Sequence, residues 1–254
     1  MIIKKLLKKY TILLLIFCGC TSCGIYRQNV VNVPLMQHSG QVQGGVHVGF
    51  TGHDGQIGCS LTDHVALMAN YNDMGTRKVT YSLTNYEINK HHFGEIGAGY
   101  FTKNTNGLIY EFFLLAGKGW SYHYVTGGDT MQGHTPPFTN VRDIDYNRYL
   151  IQADFGKAMR KLEFAFSPRI FLIHYYNILD SGNDTYLNLT HSYVFSDMAL
   201  TLRYNIFKCL KISGQASFTI PVTGFNAAYY ESSPFNVSIG LILNMNFIKN
   251  KHGQ

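Results

Sequence analysis

The chain contains 254 residues, of which 46% are hydrophobic and 14% aromatic but only 14% charged. Because an average soluble domain has about 25% charged residues, this composition favours a sheet-rich protein whose outer wall meets lipid. The formal net charge is +6, but four of these charges are lysines of an N-terminal segment that we expect to be removed. The remaining net charge is +2, which argues against nucleic acid as a partner.

The N-terminus has the pattern of a signal peptide. Residues 1–10 are rich in lysine, and the apolar run Thr11–Phe17 that follows is too short to cross a membrane. Residues 17–23 read FCGCTSC and resemble the lipobox of bacterial lipoproteins, in which a small residue precedes the lipidated cysteine. We therefore predict a lipoprotein signal peptide over residues 1–19 and lipidation of Cys20, with Cys23 as the alternative. An ordinary cleaved signal whose cysteines are incidental is the other interpretation.

The remaining cysteines give no sign of a metal site. Cys18 falls in the segment to be removed, so Cys59 and Cys209 are the cysteines left in the body of the chain. No CxxC motif pairs with histidine downstream of the signal peptide, so the sequence predicts neither zinc nor another cofactor. Cys59 alternates with apolar neighbours, as a small hydrophobic residue of a strand does.

Residues 20–40 form a polar segment that we predict to be a periplasmic tether, and strands begin after it. Side chains alternate between two faces in ten stretches from there to residue 247. The predicted strands are 41–50, 56–61, 65–71, 93–101, 108–119, 149–156, 162–172, 197–205, 210–220 and 235–247. Residues 248–254 are predicted to be a C-terminal tail.

The last predicted strand, Phe235–Phe247, shows the alternation most clearly. Every second residue from Phe235 is apolar, and the residues between them are polar or small except Ile242. A strand of this length is long for a soluble protein, whereas a tilted strand needs about 9–11 residues to cross a bilayer. No stretch after residue 20 is long and apolar enough for a membrane-spanning helix, so any membrane crossing must use strands.

The connections between the predicted strands alternate in length. Short links follow the second, fourth, sixth and eighth strands, while the links at 73–92, 122–148, 175–196 and 221–234 are long and polar. Short turns at one rim and long loops at the other are typical of outer-membrane barrels. We therefore predict an all-β protein: a closed, antiparallel, up-and-down transmembrane β-barrel of about ten strands over residues 41–247. An even strand number places both chain ends of this barrel on the periplasmic side of the bacterial outer membrane.

Three stretches of the first third resemble a known family. Asn32–Leu35, Gly40–Gln43 and Leu61–Tyr71, the last of which reads LTDHVALMANY, are similar to segments of a family of porin-like, OmpA-like outer-membrane β-barrel proteins of Bacteroidota. The resemblance implies the barrel fold and an outer-membrane location. It implies no particular activity.

Charged residues on the polar faces of the predicted strands would point into a closed barrel. They are Glu95, Glu111, Asp154, Glu163, Arg169, Asp197, Arg203 and Lys211. A barrel of about ten strands encloses little more than its own side chains, so we expect a cross-linked network of ion pairs that fills the lumen. The alternative is a narrow polar pathway with a modest preference for cations, since acids outnumber bases.

Two other groups of residues suggest loop chemistry. His174, Asp180, His191 and Ser192 supply the residue types of a hydrolytic site near one long loop, although their spacing does not identify one. The tripeptide Asp129–Met131 is similar to an O-glycosylation acceptor of exported Bacteroidota proteins. The eleven histidines show no spacing typical of metal ligands.

The sequence therefore favours a non-enzymatic, lipid-anchored outer-membrane barrel with a structural, surface-interaction or narrow small-solute passage role. Its expected partners are outer-membrane lipid and a small solute or surface ligand. Two alternatives remain open, namely a barrel enzyme that modifies outer-membrane lipid or surface peptide, and a soluble lipocalin-like periplasmic lipoprotein. The last predicts an apolar interior and a polar exterior.

Overall fold

The computed structural model describes residues 27–79, 86–127, 138–181, 191–223 and 234–246. Within these ranges the chain forms ten strands. They are β1 (Gln41–Gly49), β2 (Gly52–Ser60), β3 (Val65–Val79), β4 (Tyr86–Lys103), β5 (Leu108–Gly127), β6 (Phe138–Ala158), β7 (Leu162–Asp180), β8 (His191–Asn205), β9 (Leu210–Pro221) and β10 (Phe235–Asn246). The described residues contain no helix that is long and apolar enough to cross a membrane.

The ten strands form one closed barrel. Each strand pairs in antiparallel fashion with its neighbours in the chain, and β1 pairs with β10 from Gln41↔Asn246 to Gly49↔Ser238. Closure pairs each strand on both sides where neighbouring strands overlap, so the backbone N–H and C=O groups there find partners without water. The predicted fold class, an all-β antiparallel barrel of about ten strands, is confirmed.

The strands of one half of the barrel are longer than predicted. Strands β4–β7 have 18 to 21 residues, so the links expected at 73–92 and 122–148 are largely strand. For example, β3 and β4 stay paired from Val65↔Tyr100 to Val79↔Tyr86. The sequence pattern fades there because outward positions such as Lys90 and His92 are polar, so the two faces no longer differ in polarity.

Tight turns connect the strands at one rim, which we call the short-turn rim. They occupy residues 61–64, 104–107, 159–161 and 206–209. The turn before β5 shows why its sequence is Asn-Thr-Asn-Gly: Gly107 has a φ of +77° and its N–H donates to the carbonyl oxygen of Asn104 (3.0 Å). The Asn104 side chain accepts a second bond from the N–H of Leu108 (2.9 Å), which fixes the hairpin register.

The outer face of the barrel is apolar on every strand. Ile96 and Leu200 are 66% and 63% exposed, whereas inward residues next to them, such as Glu95 and Ala199, are buried. One exposed apolar residue from each strand, in chain order, is Val46, Ile57, Leu67, Ile96, Leu114, Ile151, Ile170, Leu200, Phe218 and Ile239. A soluble cup with a polar exterior is therefore not what this chain forms.

Aromatic side chains lie at both margins of this apolar band. Near the short-turn rim the exposed rings are Tyr100, Tyr110, Phe155, Phe164 and Tyr204. Toward the opposite rim, β4 and β5 carry a ladder of stacked rings with centroids 5.3–6.5 Å apart, formed by His92, Trp120, Tyr122 and Tyr124. An apolar band between two aromatic margins is the exterior that a bilayer selects.

Residues 27–40 differ from the predicted tether. Gln28, Val30, Val33 and Met36 are completely buried, because this segment runs inside the barrel before the chain turns at Gly40 (φ +71°) into β1. Its polar composition reflects a polar lumen rather than contact with solvent. The predicted signal peptide, Cys20, Cys23, Asp129–Met131 and the tail at 248–254 lie outside the described residues.

Candidate functional site in the barrel lumen

The lumen contains all eight charged residues that the strand pattern places there. Each is buried, with no more than 6% of its surface exposed. They lie on inward positions of β4 to β9 because side chains alternate strictly along those strands. They are Glu95, Glu111, Asp154, Glu163, Arg169, Asp197, Arg203 and Lys211.

Three ion-paired groups form among the lumen residues. Arg169 bonds Asp197, which lies directly opposite it on β8. Glu163 accepts a bond from Lys211 Nζ at 2.6 Å and lies 3.9 Å from Arg203 Nη1. Strands β7, β8 and β9 thus supply opposite charges, and each buried ion of these two groups has a partner.

The third group includes a residue that the sequence analysis missed. Arg148, which fell in a predicted loop, lies on β6 and donates to Glu95 on β4 at 2.6 Å. The pair spans β5 because Gly117 lies opposite both Glu95 and Arg148 in the two ladders. A Cβ atom at Gly117 would lie 2.6 Å from the Glu95 Cβ, so this position requires glycine.

The two other acids of the predicted set accept bonds from uncharged groups. Glu111 and Asp154 face each other on β5 and β6, so they cannot pair with one another as acid and base. Glu111 instead accepts bonds from the backbone N–H groups of Leu35 (3.0 Å) and Met36 (2.6 Å). Asp154 accepts from Gln152 Nε2 (2.9 Å), which also donates to the carbonyl oxygen of Asn32 (2.7 Å).

The residues that Glu111 and Gln152 bond belong to the N-terminal segment, defined here as residues 28–36. At its first end, Gln28 Nε2 donates to Asp197 Oδ1 (2.6 Å) and Asn29 bonds both Glu95 and Arg148. Asp197 and Glu95 each lie eight residues from the short-turn ends of their strands, which is about 20 Å of barrel height for tilted strands. The segment therefore occupies the lumen over most of a bilayer's thickness.

The segment leaves the lumen at the short-turn rim. The N–H of Gln37 donates to Gln41 Oε1 (3.0 Å), and Lys103 Nζ donates to the Gln37 side chain (2.9 Å). Beyond it, the N–H of Ser39 donates to Asp63 (2.9 Å), which lowers the pKa of that exposed carboxyl. These contacts attach the chain to the first residue of β1, to the end of β4 and to the turn between β2 and β3.

The apolar residues of the segment pack against one side of the lumen. Val31, Val33 and Leu35 form a buried cluster with three wall residues, namely Ile109, Ala165 and Ala199. On the other side Gly58 makes room for Pro34 and Met36, since a Cβ atom there would lie 3.0 Å from each side chain. The segment thus follows the two-residue alternation of a strand, although Pro34 keeps it out of a regular ladder.

Beyond the segment, on the side away from the short-turn rim, the lumen is filled by aromatic rings. Phe93, Tyr146, Phe171 and Phe195 are buried and stack in pairs. The Arg148 guanidinium lies 4.1 Å from the Phe93 ring centroid, and Tyr146 Oη is 2.7 Å from His91 Nε2. These rings and the segment together fill this part of the lumen.

The wall formed by β9 and β10 is lined by small polar side chains. Those of Ser213, Ser217, Thr219, Asn236 and Ser238 are buried on β9 and β10. Their side-chain oxygens have no hydrogen-bond partner within the part of the chain that the structure describes, nor do both ring nitrogens of His47 on β1. This polar strip runs along the lumen beside the segment.

The residues suggested for a hydrolytic site come together only in part. His174 Nδ1 and Ser192 Oγ are 2.8 Å apart, but both lie on the outer face of the barrel. Asp180 lies six residues further along β7, about 20 Å from His174, and its side chain and that of His191 lie outside the described residues. The pair therefore lacks a described acid to orient the histidine.

The described residues contain no group of three or more histidine, cysteine or acidic side chains placed to hold a metal ion. Cys59 and Cys209 form no disulfide; Cys59 is half-buried and Cys209 is exposed in a turn. At the short-turn rim, a cavity of about 750 Å³ opens beside the exit of the segment. Its lining includes Gln37, Glu163, Lys211 and Asn244.

The fold and the lumen define a class of structure: a closed antiparallel barrel with an apolar exterior, filled by its own N-terminal segment and by buried ion pairs. No protein-family model matches the chain, and no curated protein matches it. Among solved structures, the chain is similar to the translocator domain of the autotransporter NalP from Neisseria meningitidis, at 10% identity and a TM-score of 0.47 over 82% of this chain and 86% of that one.

Two further solved structures resemble the chain. The outer-membrane protease OmpT from Escherichia coli is 12% identical, with a TM-score of 0.39 over 82% of this chain and 91% of that one. The transport unit of the autotransporter AIDA-I from Escherichia coli is 10% identical, with a TM-score of 0.35 over 86% of this chain and 93% of that one. No activity is carried over from these proteins.

Proposed function

We propose that this chain is a lipid-anchored barrel of the bacterial outer membrane with a structural or surface-interaction role, whose lumen is closed by its own N-terminal segment. The observation that carries the proposal is the combination of an apolar outer band with a filled lumen. The role of such a molecule lies in its outer wall and its rims, because its interior is already occupied.

The membrane location is supported by the exterior. Side chains such as Val46, Ile96 and Leu200 are more than 60% exposed and belong to an apolar band that encircles the barrel. Soluble proteins rarely expose a continuous apolar surface of this extent. The two aromatic margins support the same location.

The closed lumen is supported by the contacts of the N-terminal segment. Val30 to Met36 are buried and are bonded by residues of β2, β5, β6 and β9. A small barrel has little interior volume to begin with. An open aqueous channel would require this segment to leave.

Membrane fractionation, gel mobility and conductance together test the proposal. We expect the protein in the outer-membrane fraction, with a mobility that changes on heating because the closed barrel resists detergent until heated. Planar bilayers containing the protein should show no steady conductance. A soluble protein, or a steady open conductance in the wild type, would contradict the proposal.

The lipid anchor is tested separately by mass spectrometry of the mature chain. We expect Cys20 to be the modified N-terminal residue, in agreement with Gly19 before it. A mature chain without a lipid, or one that starts beyond Cys23, would remove the anchor from the proposal and leave the barrel unaffected.

A narrow solute pathway is the second candidate, and the polar strip of β9 and β10 favours it. Hydroxyl groups such as those of Ser213 and Ser217 have bonding capacity to offer a polar solute. Arg203 lies directly opposite Ser213, so an Arg203→Ala substitution tests this candidate. A changed conductance with unchanged stability would support a pathway, whereas a loss of stability without conductance would support the filled lumen.

A further inference from the structure

The lumen holds the N-terminal segment largely by its backbone. Wall side chains bond the N–H groups of Val30, Val31, Leu35 and Met36, at 2.6 to 3.0 Å. Wall side chains also bond the carbonyl oxygens of Val30, Val31 and Asn32, at 2.7 to 2.9 Å. Backbone bonding of this kind recognises an extended peptide with little regard to which residues it carries.

Gln215 shows how a wall side chain takes the place of a neighbouring strand. Its Oε1 accepts from the Val31 N–H (2.7 Å), and its Nε2 donates to the Val31 carbonyl oxygen (2.9 Å). One amide group thus satisfies both backbone groups of a residue, as an adjacent strand does in a sheet. Two side chains bond Val30 in the same way. Gln56 Nε2 donates to the Val30 carbonyl oxygen (2.7 Å), and Asp54 Oδ1 accepts from the Val30 N–H (3.0 Å).

Side-chain specificity in the segment comes from a few positions. The Asn32 amide donates to Asn70 Oδ1 (2.8 Å) and to the Ile57 carbonyl oxygen (3.1 Å). Val31, Val33 and Leu35 fill one apolar strip of the wall. The complementary ligand is therefore an extended, uncharged peptide with aliphatic side chains at alternate positions and a small polar residue between them.

We propose that the lumen is a binding site for an extended polypeptide, that the N-terminal segment is its resident ligand, and that a separate peptide of the same kind can replace it. This goes beyond the proposed function, because it gives the lumen a ligand class of its own. The barrel does not need the segment to close, since β1 pairs directly with β10.

The structure also contains an entrance for a replacing peptide. The cavity of about 750 Å³ at the short-turn rim is lined by Gln37, the residue that follows the segment. The chain therefore leaves the lumen beside this cavity. A peptide could enter there with the same direction and alternation as the resident segment.

The test separates the segment from the barrel after folding. A site-specific protease sequence is inserted between His38 and Ser39, at the rim, and the purified folded protein is cut there. The cut segment is washed out in urea at a concentration that leaves the heat-modifiable mobility unchanged. A fluorescent synthetic peptide covering residues 27–38 is then added, and its binding is followed by anisotropy and by comigration with the unheated barrel.

We expect saturable binding of this peptide. A peptide N-methylated at Val31 cannot donate to Gln215 and should bind about tenfold more weakly. The matched control is a peptide N-methylated at Val33, whose N–H makes no hydrogen bond within the described residues and which should bind like the parent. On the protein side, Gln215→Met should weaken binding by a similar factor, whereas Ser217→Ala on the same strand should not.

Three results would overturn the proposal. The first is retention of the cut segment in urea up to the point where the barrel itself unfolds, which would make the segment part of the core. The second is an emptied barrel that does not bind the peptide. The third is equal affinity for the two N-methylated peptides, which would show that the backbone bonds do not recognise the ligand.

Discussion

The two halves of this barrel line the same lumen in opposite ways. The tall half, strands β4–β7, has 18 to 21 residues per strand and points large side chains inward, including Phe93, Tyr146 and Arg148. The short half, strands β1, β2, β9 and β10, has 9 to 12 residues per strand and points mainly amides, hydroxyls and His47 inward. The tall half supplies the bulky rings that fill space, whereas the inward side chains of the short half are mainly small and polar.

The N-terminal segment fits between these halves because it uses both kinds of wall. Its valines and Leu35 pack on apolar residues of β5, β7 and β8, while Gln215 and Asp54 of the short half bond its backbone. Burial of apolar side chains and satisfaction of buried peptide groups are both required for a peptide in a dry interior. Glu111 and Gln152 of the tall half add further bonds to the backbone of the segment.

The largest effect should follow from unpairing a charge in the tall half. Arg148→Ala leaves Glu95 buried without its guanidinium partner and should lower the free energy of unfolding by about 3–5 kcal/mol. Urea unfolding in detergent or lipid measures this. In the Glu95→Gln, Arg148→Met double variant the loss should be much smaller than the sum of the single losses. A single-variant loss below about 1 kcal/mol would show that the tall half does not depend on this ion pair.

A charge placed on the outer face should have a similar cost on different strands, even though the inner faces of the barrel differ. Leu200→Arg on β8 and Leu241→Arg on β10 should each cost about 2–4 kcal/mol in lipid, because each places a charge in the apolar band. Asn244→Arg is the control, since Asn244 lies beside the cavity at the short-turn rim and should cost less. Equal costs for all three variants would mean that the band does not face lipid.

The strand pattern predicted the barrel well because strict alternation has one physical cause, namely two faces of different polarity. It placed Glu163, Arg203 and Lys211 on inward positions, and the structure brings these three together. The parts of β4–β7 farthest from the short-turn rim were not predicted as strand, because both of their faces carry polar residues outside the apolar band. Arg148 was missed for the same reason, since it precedes the band on β6.

The N-terminal segment was missed for a different reason. Its alternation of Val31, Val33 and Leu35 is short, and Pro34 excludes a regular strand, so the sequence gives the segment no partner. Its partners, such as Gln215 and Glu111, are up to 184 residues away in the chain. Contacts of this range depend on barrel closure, which no local pattern reports. The alternation of Val31 and Val33 with Asn32 is the local signal for an extended segment, but the polar composition of residues 20–40 predicts a tether.

An intermediate effect is expected from adding a methyl group to a crowded inner position. Gly117→Ala would place its Cβ 2.6 Å from both the Glu95 Cβ and the Gly94 carbonyl oxygen, so the backbone beneath the Glu95–Arg148 pair must shift. We expect a loss of about 1–3 kcal/mol. Gly214→Ala in the short half is the matched control, because no atom of the described residues lies within 4 Å of its added Cβ. A similar loss at both sites would point to strand curvature rather than crowding.

The smallest effect should come from the polar strip of the short half. The Ser217 hydroxyl has no hydrogen-bond partner within the described residues, so Ser217→Ala removes a buried polar group without stranding another. We expect the free energy of unfolding to change by less than about 0.5 kcal/mol, or to rise slightly. Ser60→Ala is the comparison, since the Ser60 hydroxyl donates to the His38 carbonyl oxygen (2.7 Å) and accepts from the Gln41 N–H (2.9 Å). That variant should lose about 1–2 kcal/mol. If Ser217→Ala cost as much as Ser60→Ala, the Ser217 hydroxyl would be bonded as fully as that of Ser60, and the short half would have no spare bonding groups to offer in its polar strip.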